Sequence, residues 1–123
     1  MILYDFALAP SPRRTRILLA EKGIAVTNVQ VDLTKGEQLS PAFRAINPCC
    51  TVPALQLEDG TVLNQNVAIA LYLEDTHPEP PMFGTTAVER AVVMNWNARI
   101  EFEGLMAVAE VLRNRSKAMQ GRG

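Results

Sequence analysis

Residues 2–33 read ILYDFALAPSPRRTRILLAEKGIAVTNVQVDL, and this stretch decides the fold. The mostly apolar residues 2–6 predict a short strand, and the alternating, β-branched residues 26–33 predict a second one. Between them, Ser11 and Pro12 supply an N-cap and a first-turn proline, so we expect a helix there. A strand, a helix and a strand in this order imply two parallel strands joined by a right-handed crossover.

The following residues predict that the chain returns in antiparallel strands. A polar loop over 34–38 leads to a short helix over 40–45. The apolar runs 51–57 and 61–63 flank an Asp-Gly pair, which is the strongest short signal for a hairpin. Asn66 can cap a final helix. The predicted fold class is therefore α/β, with the element order βαβ-α-ββα and a mixed four-stranded sheet.

After this domain the sequence predicts a linker and then a helix. Residues 78–85 are rich in proline, cannot continue a helix, and predict a linker. Thr86 opens a capping box, and large apolar residues then recur every three to five positions through about Arg115, which predicts one long helix. The predicted organisation is a domain over 1–77, the linker, and a helical segment over 86–123.

The apolar side of this long helix needs a covering surface. A helix of this length extends on the order of 45 Å, so one small domain cannot cover its apolar residues. We therefore expect either a partner chain or further sequence to bury them, and we expect a bend near Gly104. The residues concerned are Val92, Trp96, Ile100, Leu105, Val108 and Leu112.

The composition excludes several classes of protein. The chain has 123 residues, of which 48% are hydrophobic and 20% charged, and its formal net charge is −1. It therefore lacks the basic excess that binding to nucleic acid demands. The longest apolar run, over 67–73, is far below the ~20 residues of a membrane span, and the first residues lack a signal-peptide pattern. We expect a cytoplasmic protein without a nucleic-acid or membrane partner.

The cysteines and the histidine give no sign of a metal site. Cys49 and Cys50 are neighbours whose Cα atoms lie about 3.8 Å apart, closer than ordinary disulfide geometry tolerates, so we expect a reduced pair. Whether these thiols are reactive or inert stays open at this point. His77 is the one histidine, and it has no second thiol at ligand spacing, so we predict no metal.

Four short motifs follow one another along the chain. They are Ser-Pro-x-x-x-Arg at 11–16, Gly-Glu-Gln followed by Ser-Pro-x-Phe at 36–43, Asn-Pro-x-x-x-Val-Pro-x-Leu at 47–55, and Gln-Asn-x-Ala-Ile-x-x-Tyr-Leu at 65–73. In this order they resemble the cytosolic glutathione transferase family across essentially the whole chain, and the third motif is the most specific. The resemblance implies a thioredoxin-like glutathione-binding domain, followed by the first helix of a truncated all-helical C-terminal domain.

The resemblance also implies site residues. Ser11 stands where serine-type members, such as the zeta and tau classes, place the hydroxyl that hydrogen-bonds the sulfur of glutathione; simple capping of the helix is the alternative. Pro53 is implied to form a cis peptide bond that turns the Val52 backbone toward the ligand. The implied glutathione-binding residues are Gln38, Val52, Pro53, Gln65 and Asn66.

Three further positions leave alternatives open. Asn66 replaces the serine that relatives usually have, which puts the hydrogen bond to the γ-glutamyl end in doubt but not the site. Arg13 and Arg14 oppose the helix dipole in the first turn, so they either draw in an anionic ligand or form a solvated basic face. Tyr4 offers a phenol, as in tyrosine-type classes, but it ranks below Ser11.

The implied function is a glutathione transferase, which transfers the thiolate of its co-substrate glutathione to an electrophilic substrate without a metal. The family is typically dimeric, so a homodimer is expected. Its electrophile pocket is built largely from the second domain, so the electrophile is not readable and the short form is expected to have little activity. The alternative is a non-catalytic module of the same fold that makes protein contacts. Disulfide exchange is disfavoured, because the first helix does not begin with a cysteine.

Overall fold

The structure is a computed structural model that describes residues 1–116. The chain divides into two compact units, Met1–Pro80 and Pro81–Gly123, and we describe each by itself. The division falls inside the stretch 78–85 that the sequence predicts as a linker. The last part of the predicted helical segment, over 117–123, lies outside the described residues.

The first unit is built on a mixed four-stranded sheet with the strand order β2-β1-β3-β4. Strand β1 (Ile2–Asp5) pairs in parallel with β2 (Thr27–Gln30) and antiparallel with β3 (Ala54–Gln56). The short strand β4 (Val62–Leu63) pairs antiparallel with β3. The predicted α/β fold class, with its parallel first half and its hairpin, is confirmed.

The second strand is shorter than its sequence pattern predicts. The pattern extends over 26–33, whereas β2 covers Thr27–Gln30. The reason is the length of its partner, because each residue of β2 pairs with one residue of the four-residue strand β1. The ladder ends where Val31 N–H donates to Asp5 C=O at 2.7 Å. Pairing, and not local propensity, sets the strand ends here.

Three helices pack on this sheet, and a 3-10 turn precedes the second of them. They are α1 (Pro10–Glu21), α2 (Pro41–Ile46) and α3 (Asn66–Thr76). The 3-10 turn, Glu37–Leu39, lies where the sequence predicts a loop. Helix α2 begins as predicted, since the Ser40 side chain accepts a hydrogen bond from Phe43 N–H.

Two predicted N-caps are wrong. The N-cap of α1 is Ala9, in extended backbone, and no side chain caps this helix. Ala9 precedes Pro10, and the residue before a proline is driven to extended backbone, so the helix begins at Pro10 and Ser11 lies inside the first turn. In α3 the N-cap is Gln65, again without a side-chain cap, and Asn66 is the first helical residue.

The core of this unit lies on both faces of the sheet. Neighbouring strands place Leu3 opposite Leu55 on one face and Tyr4 opposite Ala54 on the other, as the alternation of side chains along a strand requires. The first face packs with Leu19 of α1 and with Ile69 and Leu73 of α3. The second face packs with Val31, Phe43 and Val52. Three layers result, with α1 and α3 on one side and α2 on the other.

A buried ion pair links the C-terminal ends of α1 and α3. The Lys22 side chain is 0% exposed and that of Glu74 is 3% exposed, and Lys22 Nζ lies 2.7 Å from Glu74 Oε2. Lys22 Nζ also donates to the carbonyl oxygens of His77 and Pro80, at 2.7 and 2.8 Å. The buried ammonium group is therefore held by one ion pair and two hydrogen bonds.

The second unit is helical from Ala87 to Arg115. It consists of α4 (Ala87–Arg99), a π-helical segment (Ile100–Leu105) and α5 (Met106–Arg115). Gly104, where we expect a bend, lies in the π-helical segment. None of the helices within residues 1–116 combines the length and the apolar character that crossing a membrane requires.

The predicted capping box at the start of α4 is confirmed. The Thr86 hydroxyl accepts from Glu89 N–H, and the Glu89 carboxylate accepts from Thr86 N–H, each at 3.1 Å. Thr85 N–H donates to the same carboxylate oxygen at 2.7 Å. The N–H groups of Thr85 and then Thr86 hold the pKa of the Glu89 carboxyl below its usual value.

Candidate functional site

Ser11 is joined to the start of α3. It lies in the first turn of α1, half-buried, between two prolines. Its Oγ accepts a hydrogen bond from Asn66 Nδ2 at 3.3 Å. A hydroxyl that accepts one hydrogen bond still has its own proton to donate, so Ser11 can act as a donor toward a ligand.

The amide of Asn66 has a second partner, which the sequence did not predict. Thr15 Oγ1 donates to Asn66 Oδ1 at 2.8 Å. Thr15 lies four residues after Ser11, so both side chains share one face of α1. The four-residue spacing in the sequence could have predicted that these two side chains lie together. A threonine within an apolar helix pattern, however, also fits an ordinary core position. Gln65, which precedes Asn66, is exposed at the N-cap of α3.

The Val52–Pro53 peptide bond is cis, the geometry that the family resemblance implies. Val52 and Pro53 are buried immediately before β3. Within residues 1–116 the backbone N–H and C=O of Val52 take part in no hydrogen bond. A strand end of this kind can pair with the backbone of an extended peptide ligand.

Asn47 holds the loop that leads into this turn. It is fully buried, its Nδ2 donates to Thr51 C=O at 2.8 Å, and its Oδ1 accepts from Cys49 N–H at 3.1 Å. Asn64 Nδ2 also donates to Asn47 Oδ1, at 2.9 Å. Residues 64–66 therefore connect the Val52 loop, through Asn64, with the start of α1, through Asn66. The sequence placed Asn47 in a motif but gave no sign of this role.

The two helices that start at this site lack the side-chain caps that α2 and α4 have. Side chains cap α2 and α4, through Ser40 and Thr86. No side chain caps α1 or α3. In α1, where Pro10 and Pro12 carry no N–H, this leaves the N–H of Ser11 for a ligand, and in α3 it leaves the first N–H groups. The positive ends of both helix dipoles favour a negatively charged ligand.

The remaining predicted site residues lie as follows. Arg13 and Arg14 are exposed in the first turns of α1. Gln38 is buried, and its Oε1 has no hydrogen-bond partner within residues 1–116. Tyr4 is buried and donates its hydroxyl to Gln56 Oε1 at 3.1 Å, so its phenol is engaged within the sheet.

A polar network supports the loop that carries Ser11. Arg16 pairs through Nη1 with the buried carboxylate of Asp5 and donates through Nη2 to Ala7 C=O at 3.1 Å. Gln30 Oε1 accepts from Ala7 N–H at 2.9 Å. These bonds hold the chain between β1 and α1, so Arg16 has a structural role in the first motif.

The two cysteines are unpaired and lie within the loop between Asn47 and Val52. Cys49 is exposed and Cys50 is half-buried. Cys50 adopts a φ of 56°, which is the left-handed region that favours glycine. Within residues 1–116, no group of three or more potential metal-ligating side chains comes together.

Comparisons with known proteins agree on one family. The family described as "Glutathione S-transferase, N-terminal domain" matches residues 9–76, more than half of the chain. Glutathione S-transferase 2 of Saccharomyces cerevisiae is 40% identical over 111 residues, which cover 89% of this chain and 48% of that protein. The chain thus spans about half the length, or less, of the curated relatives that it matches.

Solved structures give the same result. A glutathione S-transferase domain-containing protein from Marinobacter aquaeolei matches with a TM-score of 0.89 and 40% identity over 97% of this chain and 59% of the other. A glutathione transferase homologue from Sulfitobacter with bound glutathione matches with a TM-score of 0.79 and 29% identity, over 93% of this chain and 53% of that one. The fold, the four motifs and these matches together show that the chain belongs to the glutathione S-transferase family and contains its N-terminal domain.

Proposed function

We propose that this chain binds glutathione and activates its thiol for transfer to an electrophile. The observation that carries the proposal is the connection through residues 64–66. Asn64 bonds the loop before Val52, and Asn66 bonds Ser11, so the three parts of the predicted site are joined by hydrogen bonds. The similarity to a Sulfitobacter homologue that was solved with glutathione supports the same ligand.

Each part of the site suits one part of glutathione. The uncapped N-terminus of α3, with Gln65 and Asn66, suits the γ-glutamyl carboxylate, because free N–H groups and a helix dipole favour an anion. The unpaired backbone of Val52, before Pro53, suits the peptide groups of the ligand. Gln38 is buried, so a ligand N–H would reach its Oε1 only after the side chain moves.

Ser11 supplies the chemistry in this proposal. A free thiol has a pKa of about 8.5, and only its thiolate is a strong nucleophile. A hydrogen bond from the Ser11 hydroxyl, together with the positive end of α1, would stabilise the thiolate. The thiol proton then leaves to solvent, and the thiolate sulfur forms a bond to the electrophile. In a substitution the leaving group departs with the electron pair of its broken bond, and in an addition the electrophile takes up a proton from water. Arg13 and Arg14, exposed near this end of α1, would draw in the anionic ligand.

Calorimetry with glutathione tests the binding part. We expect Gln65→Ala and Asn66→Ala each to weaken binding by about 1–3 kcal/mol, because each removes a hydrogen bond to a charged group. Asn95→Ala, which removes an exposed amide from α4, is the matched control and should bind as the unmodified chain does. Unchanged affinity in both site variants would contradict the proposed anchoring. Binding without any thiol activation would favour the non-catalytic module instead.

We also propose that the chain forms a homodimer. Its second unit leaves large apolar side chains exposed along one continuous helical stretch, among them Val92, Trp96, Ile100, Val108 and Leu112. Burying four or five of them would contribute on the order of 6–12 kcal/mol before the costs of association. A second copy of the chain is the expected cover, because most soluble oligomers are symmetric dimers of one chain.

Light scattering tests the dimer. We expect twice the chain mass at micromolar concentration, and Ile100→Glu should shift the mass toward the monomer because it places a charge among these apolar residues. Glu110→Gln, on an exposed position of α5, is the control and should leave the mass unchanged. A monomer that melts cooperatively and binds no dye for exposed apolar surface would show the dimer proposal to be wrong.

A further inference from the structure

Three side chains form a directed chain of hydrogen bonds between α1 and α3. Thr15 Oγ1 donates to Asn66 Oδ1 at 2.8 Å, and Asn66 Nδ2 donates to Ser11 Oγ at 3.3 Å. Thr15 is only 2% exposed, so its hydroxyl must find its partner within the protein. The direction of donation therefore runs from Thr15, through the Asn66 amide, to Ser11.

The orientation of the Asn66 amide decides what Ser11 can do. In the observed orientation Ser11 accepts from the NH₂ group, and its own proton stays free for another acceptor. In the reversed orientation the amide oxygen would face Ser11 and take that proton. In the reversed orientation Thr15 would accept from the amide, and its own buried proton would need another acceptor. Donation from Thr15 to Oδ1 therefore favours the first orientation.

We infer that Thr15 is a positioning residue, which holds the Asn66 amide so that the Ser11 hydroxyl donates to the sulfur of glutathione. The inference rests on the proposed function. The Thr15 hydroxyl is linked to the Ser11 hydroxyl through the Asn66 amide. Thr15 contributes one hydroxyl group. Valine has nearly the same shape but lacks that group.

The test is Thr15→Val, read out on the thiol of bound glutathione. Thiolate absorbance of the chain saturated with glutathione, followed against pH, gives the pKa of the thiol without any electrophile. We expect Thr15→Val to raise this pKa by about one unit, equivalent to a 10-fold smaller thiolate fraction near neutral pH. The affinity for glutathione should change less than threefold, and Thr15→Ser should restore the original pKa.

A control variant separates this effect from the loss of a helical threonine hydroxyl in general. Thr76 also lies in a helix and donates through its hydroxyl, to Tyr72 C=O at 2.7 Å, but far along α3 from Ser11. Thr76→Val should leave the pKa of the thiol unchanged. An equal shift in both valine variants would overturn the inference.

The Ser11→Ala background makes the test specific. If Thr15 acts through Ser11, then Thr15→Val adds no further shift once Ser11 is alanine. The same shift in that background would show that Thr15 acts by another route. If Ser11→Ala alone leaves the thiol unchanged, the proposed function fails. If Ser11→Ala raises the pKa and Thr15→Val does not, only the role of Thr15 fails.

A second variant covers the case in which Thr15→Val does not fold. Asn66→Asp replaces the amide by a carboxylate of the same shape, which accepts from both hydroxyls and therefore takes the Ser11 proton. We expect it to raise the pKa of the bound thiol, and we expect this shift to be reduced in the Ser11→Ala background. An equal shift in both backgrounds would reflect repulsion of the anionic ligand alone and would overturn the inference.

Discussion

In a version that carries the whole C-terminal domain of the family, replacing Ser11 by alanine is expected to lower turnover with a general electrophile by about 10²-fold, as the loss of one positioned hydrogen-bond donor does. The reason is that Ser11 Oγ accepts from Asn66 Nδ2 and so keeps its own proton for the sulfur. Without that donor the thiolate of glutathione loses a stabilising partner. Its pKa should then rise toward that of the free thiol.

Two measurements check this expectation. Steady-state rates of the version with the whole C-terminal domain give the loss of turnover. Thiolate absorbance of bound glutathione gives the rise of the pKa in the 123-residue chain. Ser40→Ala is the matched control, because Ser40 also precedes a proline but caps α2 through Phe43 N–H at 3.2 Å. It should cost about 1 kcal/mol of stability and leave the thiol unchanged. Unchanged rate and pKa in Ser11→Ala, with glutathione still bound, would exclude Ser11.

Replacing Lys22 by methionine is expected to lower the free energy of unfolding by about 3–5 kcal/mol. Methionine fills a similar volume but removes the ammonium group that lies 2.7 Å from the carboxylate of Glu74, whose side chain is only 3% exposed. The carbonyl oxygens of His77 and Pro80 lose their donor as well. Since whole domains are stable by only about 5–15 kcal/mol, this one change should bring the first unit close to unfolding.

Denaturant unfolding of matched variants checks the size and the cause of this loss. Lys35→Met is the surface control, because the Lys35 side chain is 73% exposed and its pair with Asp32 spans 3.4 Å. It should change stability by no more than about 1 kcal/mol. Lys22→Met combined with Glu74→Leu should recover part of the loss, since the buried charge is then gone. Equal small losses in Lys22→Met and Lys35→Met would refute the role of the buried pair.

The fold was readable from the sequence because its signals are local. Alternation along 26–33, the Asp-Gly turn and the prolines over 78–81 each act on neighbouring residues. The structure has the predicted α/β fold class and the predicted mixed sheet. The errors lie at element ends. Pro10 starts α1 before Ser11, and the short partner β1 limits β2.

The candidate site was readable only in part. Family motifs singled out Ser11, Val52 and Asn66, but not the bonds that join them. A sequence lists the hydrogen-bonding groups of each side chain and does not say which of them meet. Arg13 and Arg14, for example, carry the same charge whether they draw in an anionic ligand or form a solvated basic face. The structure adds only that both are exposed.

The sequence by itself determined the order of strands and helices, the capping box at Thr86 and the family motifs, since each depends on residues a few positions apart. Only the tertiary structure decided which polar groups meet. Thr15 and Asn66 are 51 residues apart, and Lys22 reaches carbonyl oxygens 55 and 58 residues away. Contacts at such separations form when α1 and α3 pack side by side on one sheet. No local pattern records that packing, because it depends on the whole chain closing around its core.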